Sequence, residues 1–380
     1  MSRFDDLLAE QVYAITGDSD ETLRTLEEWQ PIFEQAKEQL MANIEQIAPD
    51  VSLSARHSLR DGGKRRFREA KHNERAHLKK LGPGFRQLKD AVTLAGEVNR
   101  DLTTEFAKWI SRKGRKNVSA SIVGFPGTVG GPAVRALTFL GLHARSCTLA
   151  SEILLLAQHG FTEGAFSRAR SLYELVTIIA FLSIKDSHPF ELTERYSLSG
   201  LVEARRDLQG AEAEDPFATE PGLEEAIRNA WGDRFFKPHG WAIPAIGDGT
   251  AKQVTFRDIE KSLGSEHLRH AYLTMNHAVH AGAKIMVERF NTERPFLNYV
   301  GSSVDYYGAA WVLSATSYLF RGAQIPLLLE ISPLIEAEME LMLAPLSNLC
   351  NNAQSFFNSY TDQNDPVGGT EQDHSYNSGT

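Results

Sequence analysis

Apolar residues recur at three- and four-residue intervals along almost the whole chain, and no stretch alternates as a ladder of strands would. The clearest apolar stripe lies in 84–111 and consists of Phe85, Leu88, Val92, Ala95, Val98, Leu102, Phe106 and Ile110. Further helices are predicted at 3–15, 21–47, 133–158, 163–184, 190–210, 222–231, 255–263, 265–290, 303–322 and 326–352. This periodicity predicts an all-α fold, a multi-helix bundle.

The 380 residues suffice for one large domain or two ordinary ones. We expect an N-terminal helical extension over 1–120 and a core helical domain over 133–354. Residues 355–380 have little apolar content, which predicts a disordered tail. Pro49 is expected to end the helix that precedes it. The glycine-rich stretch 124–132 lacks the lysine of a phosphate-binding loop and is interpreted as a linker.

The net charge of −9 hides an uneven distribution along the chain. Residues 1–50 carry twelve acidic and three basic side chains, whereas residues 55–90 carry twelve basic and four acidic ones. Two interpretations stay open: the two segments neutralise each other in the fold, or the 55–90 stretch binds a polyanion such as RNA.

The cysteine content points to the compartment. The two cysteines, Cys147 and Cys350, lie in largely apolar surroundings, which suits buried thiols in a reducing cytoplasm. The N-terminus is acidic and polar, unlike a signal peptide, and the longest mostly apolar run, 175–184, is too short to span a bilayer. We therefore expect a cytoplasmic protein with no membrane association.

Four of the twelve histidines fall in the predicted helix 265–290. Histidine is the usual side chain for proton transfer near neutral pH. On a helical projection, Leu268 and Met275 lie on the core face, and His280 lies at the boundary of the core with Asn276 on the same flank. The solvent side carries His267, His270 and His277. We take His280 and Asn276 as candidate catalytic residues.

The histidines do not predict a metal site. His270 and His277 lie two turns apart, about 10 Å along the helix axis, which is too far for one ion. Glu74 and His77 supply half of a di-iron motif, and a ferritin-like site needs two such motifs and two further glutamates. We expect no metal and no other cofactor.

Arg170 and Glu174 are four residues apart in a helix that becomes apolar on nearly every side after them. Charges in such a position must be paired. The pair is interpreted either as a buried ion pair that fixes helix packing or as Arg170 presented to an anionic group, with Glu174 holding it. A tryptophan in a loop usually anchors that loop to the core, and we expect this of Trp241.

Together these motifs resemble an uncharacterised helical bacterial family, domain-of-unknown-function family 5677. The resemblance covers about 135–320 and rests on the order Arg170-Ser-Leu-Tyr-Glu174, Arg195-Tyr196, Trp241 and Tyr272-Leu-Thr-Met-Asn-His-Ala-Val-His280. The family typically shows an Arg-Ser-x-x-Glu helix, a tryptophan loop and a Tyr-x-x-x-Ser-x-x-x-His helix. Asn276 stands at the usual serine position. The resemblance says little about activity.

Families with such helices have a looser likeness to HEPN domains, helical bundles that include metal-independent ribonucleases and inert relatives. Their hallmark is an arginine followed after four to six residues by a histidine. The histidine helix lacks it, because Met275 stands five residues before His280. Arg66 and His72 have the spacing but lie inside the charged stretch.

Three functions stay open, and the sequence does not decide whether the protein is an enzyme. The first is an interaction or scaffold component of a bacterial stress or phage-defence system, with a protein partner or a homodimer. The second is a HEPN-like ribonuclease or RNA-binding protein. The likeness then implies His280 as general base on a 2′-hydroxyl, with Arg170 or the 55–90 stretch holding phosphate. The third is a metal-dependent hydrolase.

Overall fold

A computed structural model describes residue 13 and residues 26–113, 131–187, 190–207, 222–246, 252–277 and 305–364. Of residues 26–29, 43–61, 113 and 277 only the backbone is described. Within these ranges the regular structure is entirely helical, and no strand occurs. The predicted all-α fold is confirmed.

Ten α-helices are described, and we number them in chain order. They are α1 (Leu26–Lys113), α2 (Gly131–Gln158), α3 (Thr162–Lys185), α4 (Glu191–Asp207), α5 (Leu223–Trp231), α6 (Phe256–Ser262), α7 (Arg269–His277), α8 (Tyr306–Pro326), α9 (Ser332–Leu334) and α10 (Leu343–Gln363). The 3₁₀ turns are Asp233–Phe236, Gly240–Ala245, Ser265–Leu268 and Glu340–Met342, and Leu327–Ile331 is a π-helix.

The chain divides into two compact units, Met1–Glu69 and Ala70–Thr380. In the described part of the first unit, Ala36 and Leu40 are buried one helical turn apart, and Lys37 pairs with Glu34 at 3.7 Å. The second unit contains the remainder of α1 and all the later helices. Every site discussed below lies in the second unit.

The core of the second unit is built around α8, which packs against α2, α3 and α10. The buried side of α8 is apolar. Two alanines on it, Ala309 and Ala310, are fully buried, as are Leu313 and Phe320. Small residues let the neighbouring helices approach closely, so α8 supplies a central surface against which three helices bury their apolar sides.

The part of α1 in this unit buries the predicted apolar stripe. Phe85 packs edge-on against Phe357 of α10 at 6.2 Å between ring centroids. Exposures of 7 % or less are found for Phe85, Leu88, Val92, Ala95, Val98, Leu102 and Phe106. Ile110, at the end of the stripe, is partly buried. Periodicity alone therefore located both this helix and its buried side.

Gly84 of α1 lies directly against two aromatic rings of α10. A Cβ atom there would meet ring atoms of Phe356 and Phe357 at 2.7 Å. We expect Gly84→Ala to lower the unfolding free energy by about 1–2 kcal/mol, because overpacking outweighs the gain in helix propensity. Urea unfolding measures this. Gly96→Ala is the matched control, since nothing lies within 4 Å of its Cβ position. Equal stabilisation by both changes would contradict the assigned packing.

Three features differ from the sequence-based predictions. Helix α1 continues through Pro49, so the expected end of the helix at this proline is wrong. The histidine helix begins as a 3₁₀ turn after Gly264, whose φ of 65° breaks the α-helical path. Helix α10 continues to Gln363 because Phe357 is fully buried, so a tail beginning at residue 355 is wrong. Residues 365–380 lie outside the described residues.

One described helix, α2, is long and apolar enough by composition to cross a membrane. Half of its most apolar window is buried inside the fold, as is usual for a core helix. The helix is therefore weak support for a membrane span.

Candidate functional site

The predicted pair of Arg170 and Glu174 forms on α3 and is joined by Tyr272 of α7. Arg170 Nε lies 3.0 Å from Glu174 Oε1, and the Tyr272 hydroxyl donates to the same oxygen at 3.0 Å. The guanidinium also lies over the Tyr272 ring, 5.6 Å from its centroid. We call these three residues the Arg170 cluster. Its side chains link two helices that are about a hundred residues apart in sequence.

The electrostatics of the Arg170 cluster keep the ion pair charged. Burial disfavours the charge on Arg170, but the interactions of the guanidinium with Glu174 and Tyr272 outweigh this effect, so the pKa of Arg170 is raised. Burial and the neighbouring Glu174 carboxylate raise the pKa of Tyr272 as well. Tyr272 is therefore a neutral hydrogen-bond donor at physiological pH. An incoming phosphate would have to compete with Glu174 for the guanidinium.

A second buried network lies beside the Arg170 cluster. Glu260 of α6 is 1 % exposed and accepts hydrogen bonds from the Tyr173 hydroxyl and from Arg269. The rings of Tyr173 and Tyr272 are 5.1 Å apart, and Phe256 completes the aromatic contact. Burial and the Glu260 carboxylate raise the pKa of Tyr173. The network fixes the start of α7 against α3, and with it the position of Tyr272.

Asn276 lies one turn after Tyr272 on α7, as predicted. Its Oδ1 atom is buried and has no hydrogen-bond partner among the described residues. His280 lies outside the described residues. The structure thus brings Arg170 to the helix that carries Asn276, whereas the predicted role of His280 stays a prediction.

The other predicted positions of the histidine segment agree with the projection. Met275 is fully buried and Leu268 is partly buried, whereas His267 and His270 are exposed. Trp241 is 2 % exposed and packs against Phe181 and Tyr196, which confirms that it anchors its loop.

Two histidines that the sequence did not single out for catalysis are buried in polar networks. His143 Nε2 donates to Gln324 Oε1 at 2.8 Å, and its Nδ1 accepts from Asn99 Nδ2 at 3.1 Å. Burial lowers the pKa of His143 to about 4, against the raising effect of Gln324. His77 contacts the carbonyls of Asn73 and Asp305, and burial lowers its pKa too. Both are neutral structural histidines at pH 7.

Glu74 and His77, which form half of a di-iron motif in the sequence, contact different partners. Glu74 accepts from Gln158 Nε2 at 2.8 Å, whereas the His77 ring lies between the backbone carbonyls of Asn73 and Asp305 and its one N–H can donate to only one of them. Within the described ranges, no group of three or more His, Cys, Asp or Glu side chains is arranged to hold a metal ion. Burial raises the pKa of both Cys147 and Cys350 to about 12, so neither is a thiolate nucleophile.

Helix α1 presents a row of basic residues on the side opposite its buried stripe. We call it the basic face, and it consists of Lys71, Arg75, Lys79, Arg86 and Lys89. Their spacings of four, four, seven and three residues keep them within an arc of about 80° on the helix. All five side chains are exposed, and no carboxylate of a described residue lies within 4 Å of them. The row extends about 27 Å along the helix axis.

Arg135 is a buried charged residue that the sequence analysis did not identify. It is 3 % exposed and pairs with Asp186 at 3.2 Å and with Glu330 at 2.6 Å. Asp186 accepts from the backbone N–H groups of Leu192 and Thr193, both at 2.9 Å, and so caps the start of α4. The signal in the sequence was an arginine near the start of the largely apolar helix 133–158.

The fold and these sites define an all-α protein with buried ion-pair networks and an exposed basic helix face. Residues 137–296 match a family of unknown function (DUF5677), a range that includes Arg170, Trp241 and Asn276. The match confirms the resemblance predicted from the motifs. Neither the curated proteins nor the solved structures contain a match to the chain. The likeness to HEPN domains stays a prediction.

Proposed function

We propose that the protein binds RNA through the basic face of α1 and acts as an interaction component without cleaving the RNA. The observation that carries the proposal is the alignment of five exposed cations on one side of a helix whose other side is buried. Most of the affinity of proteins for nucleic acids comes from such contacts to phosphates. The proposal places the protein in the cytoplasm. A role in bacterial stress or phage defence stays a prediction.

The arrangement favours a sequence-independent mode of binding. The five cations are lysines and arginines at intervals of one or two helical turns, which suits contacts to successive phosphates along a flexible single strand. The described part of the basic face contains no aromatic ring on which bases would stack. Contacts to phosphates position a nucleic acid but carry no sequence information.

The Arg170 cluster supports binding without chemistry at that place. Arg170 is bonded to Glu174, and Glu174 is bonded to Tyr272, so the charge of the guanidinium is already matched. A ribonuclease centred on Arg170, Asn276 and His280 is the second candidate function. It is favoured by the buried Asn276 Oδ1, which has no partner among the described residues.

The test replaces all five residues of the basic face by glutamine and measures binding of a fluorescent single-stranded RNA by anisotropy. We expect the affinity at 50 mM salt to fall about 100-fold, because up to five phosphate contacts are lost. The matched control replaces five exposed basic residues elsewhere: Lys185, Lys237, Lys252, Arg257 and Lys261. It has the same net charge and should keep the affinity of the wild type.

Two outcomes would contradict the proposal. Equal losses in the two variants would mean that net charge, and not the basic face, determines binding. Cleavage of the RNA by the wild type in EDTA, abolished by His280→Ala, would favour the ribonuclease. A duplex DNA of equal length in the same assay distinguishes RNA from any polyanion.

A further inference from the structure

A cavity of about 460 Å³ lies between α2, α3, α4 and the Gly240–Ala245 turn. Its volume is in the range that holds small organic molecules. The lining residues from α2 and α3 include the apolar Val134, Leu137 and Ile178, whereas α4 supplies Tyr196 and Glu203 and the segment before the Gly240–Ala245 turn supplies His239. It is separate from the basic face, which lies on α1, and neither candidate function above uses it.

Two glycines make room for the cavity. Gly141 of α2 and Gly200 of α4 both line it, and a Cβ atom added at either position would meet nothing within 4 Å. Glycine in the middle of a helix costs about 1 kcal/mol relative to alanine. Two such positions facing the same open space therefore preserve that space at the expense of helix stability.

The charge on the described residues that line the cavity is negative and belongs to Glu203. Glu203 is exposed and makes no hydrogen bond or ion pair with another described residue. Burial lowers the pKa of His239, and the charge of Arg206 lowers it further. The charges of Glu203 and Glu174 act in the opposite direction but do not outweigh burial. His239 is therefore neutral at pH 7. Among the described residues that line the cavity, only Glu203 then carries a charge.

Arg206 lies near Glu203 but does not place its positive charge in the cavity. Arg206 does not line it, and its guanidinium donates to the Phe236 carbonyl. Tyr196 and Trp241 also line the cavity, and their rings meet edge-to-face at 4.9 Å.

We propose that this cavity binds a small organic ammonium ion, with its charged head at Glu203 and its apolar body between Val134, Leu137 and Ile178. A hydrogen-bonded ion pair at the head supplies orientation, and burial of the body supplies most of the affinity. An anion of the same shape is excluded by the carboxylate. The proposal does not depend on RNA binding.

The test is isothermal titration calorimetry of the full chain with three probes: 2-phenylethylammonium, cyclohexylmethylammonium and 3-phenylpropionate. We expect at least one ammonium ion to bind with a Kd below about 1 mM and the propionate not to bind. Glu203→Gln should weaken the ammonium about tenfold or more, because a charge-assisted hydrogen bond is lost.

Gly200→Leu is the blocking variant, since its side chain would occupy the cavity while its backbone stays helical. We expect it to abolish binding without lowering the melting temperature. Gly96→Leu is the matched control, because Gly96 is a helical glycine in open space on α1. It should bind as the wild type does. The proposal is overturned if no ammonium probe binds the wild type, if Gly200→Leu binds equally well, or if Glu203→Gln has no effect.

Discussion

Arg135→Met is expected to lower the unfolding free energy by about 3–5 kcal/mol, the largest effect of any substitution considered for this chain. Removing the guanidinium leaves the Asp186 carboxylate, which is 2 % exposed, without a counter-charge in the core. Methionine has a similar length and fills much of the space, so the loss comes mainly from the unpaired charge. Glu330, which is 35 % exposed, can turn to water.

Urea unfolding of three variants separates this effect from simple loss of packing. Arg135→Met combined with Asp186→Asn should recover part of the lost stability, because no charge is then buried. Arg100→Met removes an exposed ion pair with Glu97 and should cost less than about 1 kcal/mol. A loss below 1 kcal/mol for Arg135→Met alone would show that Asp186 is solvated or paired in another way.

The second large effect is a loss of stability in acid through His143. Its pKa in the folded protein is about 4, below the ordinary value of 6.5. Below pH 6.5 the unfolded chain therefore binds a proton that the folded chain does not, until the pH approaches 4. Above pH 6.5 the contribution of His143 to the free energy of unfolding does not change with pH. As the pH falls from 6.5 to 4, this contribution lowers the free energy of unfolding by about 3 kcal/mol.

Chemical unfolding at pH 7.0 and at pH 4.5 checks this for the wild type and for His143→Gln. Glutamine loses hydrogen bonds to Asn99 and Gln324, so the variant is less stable at pH 7.0. Its further loss between the two pH values should be smaller than that of the wild type by about 2–3 kcal/mol. His77 and the carboxylates are present in both proteins, so their contributions cancel in the comparison. Parallel pH profiles would mean that His143 is not a buried neutral base.

The helices were predictable because their causes are local. The stripe from Phe85 to Phe106 repeats every three or four residues, and burial followed that repeat. The pair of Arg170 and Glu174 was predictable for the same reason, since i, i+4 residues share one side of a helix. The basic face also follows from spacing alone, once the opposite stripe of α1 is known to be buried.

What the sequence did not predict depends on contacts between distant segments. Arg135 and Asp186 are 51 residues apart, and His143 meets Gln324 across 181 residues. No local pattern marks such partners. Helix α10 extends past residue 355 because Phe357 packs against Phe85 of α1. The cavity at Gly200 arises from three helices and a turn, each of which looks ordinary by itself.

The salt dependence of RNA affinity tests the central claim most directly. Each phosphate contact to a single strand contributes about −0.7 to the slope of log K against log salt. We predict that replacing the five residues of the basic face makes this slope shallower by up to about 3.5, and that the matched control of equal net charge keeps the slope of the wild type. Identical slopes for the wild type and the basic-face variant would contradict the claim that these five side chains bind the phosphates of RNA.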